Sequence, residues 1–254
     1  MVQPDPANTI VLIPARMASA RLPGKPLADI CGTPMIVHVW RRAVEAAVGP
    51  VLVAAAESEI VTAVTQAGGD AVLTDPDLAS GSDRIAAALA QRDPGGRYRF
   101  VINLQGDLPL IDPGAVRRCL AALASPDIQI STLAARITDD AEIANPDIVK
   151  ALADLEGQDL ARADDFVRHL PDQAVAPFWH HIGIYGYRRD ALDDFVKLPV
   201  SRHEKERRLE QMRAMDNGMT IAVARVDSIP FGVDTPADLD RARREIGALA
   251  SGRS

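Results

Sequence analysis

I-V-L-I-P-A-R-M-A-S-A-R-L-P-G-K-P-L, residues 10–27, opens with four apolar residues, Ile10-Val11-Leu12-Ile13, and stops them at Pro14. A short apolar run ended by a turn former suits a buried strand at the start of a parallel sheet. The loop that follows carries Arg16, Arg21 and Lys25, with no acidic residue between Ile10 and Ala28. Pro23, Gly24 and Pro26 tighten and stiffen it. Cations on a loop leaving the C-terminal end of a strand sit where α/β sheets bind ligands. A triphosphate is the guest they suit, although three scattered cations also suit an ordinary basic surface loop. The loop is not a P-loop, which would need Gly at position 19 and Ser or Thr at position 26. This chain has Ser19 and Pro26 there.

With 254 residues the chain is long enough for one large α/β domain, or a domain with a subsidiary lobe. Its 47% hydrophobic and 25% charged content is that of a soluble globular protein. No apolar run approaches the ~20 residues of a membrane span, so no membrane partner is expected. Residues 1–9 lack the basic and apolar regions of a signal peptide and read as a flexible tail. The two cysteines, Cys31 and Cys119, match no metal or redox spacing and suit reduced thiols in a cytoplasmic protein. A net charge of −7 argues against nucleic acid as a partner and makes the cationic loop a local anion site.

Beyond the loop, strands and helices alternate. Asp29 to Gly49 reads as a turn and a helix, with Thr33 as N-cap and Pro34 as its first residue. Val51 to Ala56 is a second buried strand, Ile60 to Ala67 a helix, and Ala71 to Leu73 a third strand. The alternation predicts a parallel sheet with helices on both faces. Ser80-Gly81-Ser82-Asp83-Arg84 precedes a helical run. Ser82 could cap it and Asp83 favours its positive end, but a cap leaves Arg84 unexplained. Phe100 to Leu104 is a strand running into Gln105-Gly106-Asp107. A carboxylate at such a strand end could hold a divalent cation on substrate phosphates, or simply form a turn between Gly106 and Pro109.

Gly114 to Ala124 reads as a helix and Ile128 to Ile137 as an alternating strand; Asp139 to Gln173 has no clear period. In Trp179 to Tyr187, period two puts His181, Gly183, Tyr185 and Tyr187 on one face and Ile182 and Ile184 on the other. The polar face suits a hydroxylated ligand, and equally a half-exposed strand in a dimer interface. Ser201 to Met215 reads as one charged helix with a largely solvated face. Ile221 to Val226 is the last strand. In Gly232-Val233-Asp234-Thr235-Pro236-Ala237-Asp238-Leu239, a capping box accounts for Thr235, Pro236 and Asp238 but not for Asp234.

Several of these strings together resemble the 3-deoxy-manno-octulosonate (Kdo) cytidylyltransferases, or CMP-Kdo synthetases. They are I-P-A-R-x-A-S-x-R-L-P-G-K-P-L, S-G-S-D-R, N-L-Q-G-D-L-P, N-P-D-I-V-K, H-I-G-I-Y-G-Y, L-E-Q-M-R and G-V-D-T-P-A-D-L. The likeness runs from about Ile10 to Arg243 and weakens in the centre. It implies a Rossmann-like, mostly parallel α/β sheet over residues 10–250, with a small dimerisation and sugar-binding lobe around 150–200. It further implies a cytoplasmic homodimer in lipopolysaccharide biosynthesis, joining CTP to Kdo with Mg²⁺ and releasing pyrophosphate. By the same resemblance Ala15, Arg16, Ser19, Arg21, Lys25, Ser80, Gly81 and Arg84 bind the nucleotide. Asp107 and Asp234 are the metal ligands, and together with Arg16 and Lys25 the catalytic set. Gln105, His181, Tyr185, Glu210 and Gln211 orient the sugar. No general base is identified.

Three departures stand out. Leu108 replaces the family's Glu. The family's Tyr-Phe-Ser-Arg run is absent, leaving Arg162 or Arg168 to supply its sugar-site arginine. Arg202, His203 and Arg207 stand where Pro, Leu and Glu are usual. These leave room for a different sugar acid, sialic-acid-like or an amino-Kdo. A regulator that binds nucleotide without turnover is the reading of another class, opposed by the retention of Lys25, Asp107 and Asp234 together.

Overall fold

Short apolar runs buried on both faces build the sheet. The computed structural model describes residues 2–171 and 173–251; Met1 of the expected tail lies outside them. In chain order the strands are β1 (Thr9–Ala15), β2 (Asp29–Ile30), β3 (Thr33–Pro34), β4 (Val51–Ala55), β5 (Asp70–Leu73) and β6 (Phe100–Asn103). They continue with β7 (Ile130–Arg136), β8 (Lys150–Leu152), β9 (Leu160–Arg162), β10 (Asp165–Val167), β11 (Trp179–Arg188) and β12 (Ile221–Val226). The helices are α1 (Met35–Ala46), α2 (Ser58–Gln66), α3 (Gly81–Arg92), α4 (Pro113–Ala121) and α5 (Asp140–Ala144). After them come α6 (Arg189–Phe195), α7 (Arg202–Arg207), α8 (Gln211–Asp216) and α9 (Pro236–Ser251). The chain divides into two units. The first is Asp5–Tyr98, Asn103–Val116 and Pro230–Ser254; the second is Met1–Pro4, Arg99–Ile102 and Arg117–Ile229.

In the first unit β4 pairs in parallel with β1 on one side and β5 on the other. All five residues of β4 are buried, as are Ile10 to Ile13 of β1. That is the burial a parallel strand meets when helices cover both its faces. Helices α1, α2 and α3 pack on these strands, so the α/β alternation read from periodicity holds. Thr33 and Pro34, however, do not start α1. They pair with Asp29 and Ile30 across a turn in which Cys31 (φ 52°) and Gly32 (φ 81°) are both left-handed. Two such residues are what a tight two-residue hairpin turn requires. The helix then begins at Met35 with no side-chain cap. Helix α9 is seated on this hairpin through Ile30, Met35, Val233, Leu239 and Ala242. Its start is capped as expected: Asp238 Oδ2 accepts from Thr235 N at 2.8 Å and Thr235 Oγ1 from Asp238 N at 3.2 Å.

The second unit is a mixed sheet. β11 runs antiparallel to β7, β12 parallel to β7, and β9 antiparallel to β12, while β8 joins β11 and carries β10. Three of these strands lie in the stretch 139–173 that has no clear period. They are three residues each, too short for an alternation to register. β7 is buried from Ile130 to Ala135, so it is covered on both sides rather than half exposed. Its polar Ser131 is satisfied by donating to Cys119 O at 2.7 Å, with Cys119 Sγ 3.5 Å from the same hydroxyl. Burial pushes the Cys119 thiol up to about 12.

The single charged helix expected over 201–215 is two short ones, broken where Arg208 turns left-handed (φ 55°). The cause is Arg213, whose Nε and Nη2 donate to the two carboxylate oxygens of Glu204 at 2.9 and 2.6 Å. Nine residues along one straight helix lie about 13.5 Å apart, so that bidentate pair exists only if the chain doubles back. Arg213 is buried and Glu204 largely so, unlike the solvated face expected of them.

Gly186 of β11 has no room for a side chain. A Cβ there would overlap Ser131 Oγ and lie 3.1 Å from Leu123 Cδ1. Gly186→Ala is expected to lose about 1–3 kcal/mol of stability through this overpacking, read as a lowered urea midpoint; an unchanged midpoint would refute the packing.

Candidate active site

The cationic loop is held in shape by its backbone and by one distant carboxylate. Gly24, left-handed at φ 71°, donates to Met17 O at 3.1 Å and closes the loop on itself. Ser19 Oγ accepts from Leu22 N at 3.3 Å. Glu57, just before α2, accepts from Met17 N at 3.0 Å. Nothing in the sequence marked Glu57, because an acidic residue before a helix has ordinary reasons to be there.

Lys25 is the centre of the site. Its ammonium lies 2.8 Å from Asp107 Oδ2 and 3.0 Å from Asp234 Oδ1, and Arg21 Nη2 lies 3.1 Å from Asp234 Oδ2. Burial pulls the Lys25 pKa down, but the two aspartates outweigh it and the net shift is upward. Asp107 is placed by the strand end after β6, where Leu104 N donates to Leu12 O at 3.0 Å. Gly106 is needed beside it: a Cβ there would sit 3.0 Å from Pro14 O. Asp234 is placed by the cap of α9 and by Val233 N donating to Asp107 O at 2.9 Å.

These groups line a cleft of about 460 Å³ in the first unit. Ala15, Arg16, Ser19, Arg21 and Lys25 reach it from the loop, Ser80, Gly81 and Arg84 from the start of α3, and Gln105, Asp107 and Asp234 from the remaining side. All eleven first-unit residues expected from the sequence are therefore together. The cap of α3 is Ser80 rather than Ser82: its hydroxyl accepts from Asp83 N at 3.1 Å, while Asp83 Oδ2 accepts from Ser80 N at 3.1 Å. Ser82 is a buried residue of the helix's first turn instead. Arg84, 2% exposed, donates to Thr74 Oγ1 at 2.6 Å and to the carbonyls of Asp75 and Pro76 at 3.0 and 3.3 Å. Those three acceptors explain a cation in a first helical turn: it fastens the loop after β5 beneath the cleft. Leu108 is buried and packs toward Gly232, as an apolar side chain should.

The other expected residues are in the second unit. His181 stacks edgewise on Phe166 (centroids 4.9 Å) and lies 5.6 Å from the Tyr185 ring. The Thr132 hydroxyl faces the carbonyls of Ile182 and Ile184 at 3.0 and 2.8 Å. His181 Nε2, 3.1 Å from the same oxygen, is then the donor to it, which leaves Nδ1 as the ring's acceptor. Burial, with Tyr187, Glu210 and Cys119 adding to it, holds the Tyr185 phenol well above its usual pKa. Ile182 and Ile184 are buried as period two requires, but Tyr187 is also buried, against Phe195. Gln211 is 6% exposed, and its Nε2 has no partner among the described residues. Arg168 donates to the carbonyls of Arg207, Pro146 and Arg208 at 2.9, 3.0 and 3.3 Å. It braces the turn leading to Glu210, with Arg207 returning to Asp165 and to Phe166 O. Arg162 is exposed on β9, 3.9 Å from Asp127.

No helix among the described residues is long and apolar enough to cross a membrane. A cytidylyltransferase family model matches residues 10–221. The chain is 59% identical over 236 residues to the 3-deoxy-manno-octulosonate cytidylyltransferase of Parvibaculum lavamentivorans, covering 93% of this chain and 92% of that protein. It is 57% identical over 243 residues to the enzyme of the same name from Rhodospirillum rubrum, covering 95% and 96%. Among solved structures it is similar to a CMP:2-keto-3-deoxy-manno-octonic acid synthetase complexed with CTP. That match has a TM-score of 0.86 and 38% identity, over 95% of this chain and 99% of the other.

Burial, helped by the charge of His180, pushes the His181 imidazole down to about 3. An unfolded histidine takes its proton near about 6.5. The unfolded chain therefore binds the extra proton between those values, and this residue's contribution to stability falls as pH drops from 6.5 towards 3. NMR of the ring nitrogens is expected to show His181 neutral at pH 5; a protonated ring there would contradict its placement.

Proposed function

Since the chain belongs to the 3-deoxy-manno-octulosonate cytidylyltransferase family, we propose that it joins CTP to Kdo to give CMP-Kdo and pyrophosphate. The observation that carries this reading is the convergence of Lys25, Asp107 and Asp234, from three distant parts of the chain, on a cleft walled by Arg16 and Arg21. In the reaction the sugar's anomeric oxygen bonds to the α-phosphorus. The bond from that phosphorus to the α,β-bridging oxygen breaks, pyrophosphate departs with the electron pair, and the hydroxyl proton passes to solvent. Such a transfer depends on alignment and on neutralising charge more than on covalent help. Arg16, Arg21 and Lys25 hold the triphosphate and offset the charge that accumulates on the leaving group. The first turn of α3, reaching the cleft through Ser80 and Gly81, adds the positive end of its dipole.

The donor set fits Mg²⁺. Two carboxylates already converge on one cation, and oxygen ligands from one or two carboxylates, completed by phosphates and water, are what this ion takes. Asp107 and Asp234 would hold it, and it would withdraw charge from the phosphates to which it is bound. Gln105, His181, Tyr185, Glu210 and Gln211 are assigned to the sugar. Gln211 offers an unsatisfied amide donor and His181 a neutral acceptor, complementary to hydroxyl groups. Eight relatives at 52–59% identity bear the name 3-deoxy-manno-octulosonate cytidylyltransferase, which supports Kdo over another sugar acid. A cytoplasmic homodimer serving lipopolysaccharide biosynthesis completes the proposal.

Pyrophosphate release should require CTP, Kdo and Mg²⁺ together. Asp234→Asn is expected to lower it by about 10²-fold or more. A wild type that binds CTP but releases nothing with Kdo would overturn the sugar assignment; an active Asp234→Asn would overturn the metal ligand.

A further inference from the structure

The ammonium of Lys25 stands where the two metal-binding carboxylates meet. It is 16% exposed and lies within 3.0 Å of one oxygen from each aspartate, while the second oxygen of Asp234 is taken by Arg21. Two cations thus already face two carboxylates, and the cluster's formal charge is zero. A divalent ion bridging the same oxygens would need them at about 2.0–2.1 Å. It would then lie within a few ångströms of the ammonium, where like charges repel even after allowance for the solvent reaching Asp107 and Asp234. Ammonium and metal therefore compete for one position. The bound triphosphate changes the balance, because it brings several negative charges into the same cleft and offers Lys25 other acceptors.

We infer that Lys25 is a removable counter-ion that occupies the metal position in the nucleotide-free protein and yields it when a triphosphate draws the side chain away. The inference rests on the reading that Asp107 and Asp234 hold the ion, and it sets an order on the site. Divalent cations bind the free protein weakly and enter with the nucleotide, so the two carboxylates are not left to collect metal between turnovers. Lys25 then has two successive partners, the aspartates before binding and the phosphates after it.

Manganese binding without nucleotide tests this, read by electron paramagnetic resonance as loss of the free-ion signal. Lys25→Met keeps an unbranched side chain one atom shorter and removes its charge. It is expected to bind Mn²⁺ at least about tenfold more tightly than the wild type, whereas Lys25→Arg, which keeps a cation, should bind as weakly as the wild type. Equal affinity of the wild type and Lys25→Met overturns the inference, as does a gain in Lys25→Arg matching that in Lys25→Met, which would reflect a loosened loop. The added affinity should vanish in Lys25→Met combined with Asp107→Asn. If it persists there, the ion is held elsewhere, and the metal site of the proposed function falls with it.

Discussion

One ammonium ties together residues 25, 107 and 234. Lys25 bonds to Asp107 across 82 positions of sequence and to Asp234 across 209. Each partner is delivered by a different device: a strand end bent by Gly106, a capped helix start, and a loop closed by a left-handed glycine. Hydrogen bonds at this spacing tolerate little drift, so the first unit has to place three backbone segments to within a fraction of an ångström. The apolar seat of α9 on the β2–β3 hairpin meets that demand. It fixes the helix whose cap carries Asp234.

Around this cluster, charge is handled by backbone as much as by side chains. Arg84 is spent on a hydroxyl and two carbonyls beneath the cleft, and Arg168 on three carbonyls beside the turn at Arg208. Both are planar donors with several N–H groups, suited to gathering several acceptors at once. Arg16, by contrast, and Arg21 beside its ion pair with Asp234 remain exposed on the loop, where an anion from outside can reach them. The same residue type thus does two jobs, distinguished by what surrounds it.

This difference also separates what could be read in the sequence from what could not. Runs such as Val51 to Ala55 announce themselves because burial on both faces leaves no polar position. The motif strings name eleven first-unit residues that the fold brings to one cleft. Period two correctly buried Ile182 and Ile184 but could not foresee that Phe195 would cover Tyr187. Thr33 and Ser82 are not the caps that pattern suggests, and Ser80 is one, because a cap depends on which backbone turns first, and a residue or two is within the ambiguity of pattern reading. The break at Arg208 had no local signal at all: it follows from a side-chain pair that forms only after the chain has reversed. β8, β9 and β10 were invisible for a similar reason, since three-residue strands are defined by their neighbours rather than by their own composition.

The packing around Gly186 bears on the protein's two thiols. Cys119 is sealed beneath Ser131 and held protonated, while Cys31 is exposed at the tip of the hairpin that seats α9. Thiolate, not thiol, is the reacting form. A thiol-directed dye or spin label will therefore attach to the native molecule at one known place, in a turn close to Arg243. A second equivalent of reagent taken up over time counts openings of the core around Ser131, so the folded chain carries both an addressable handle and an internal clock of its own unfolding.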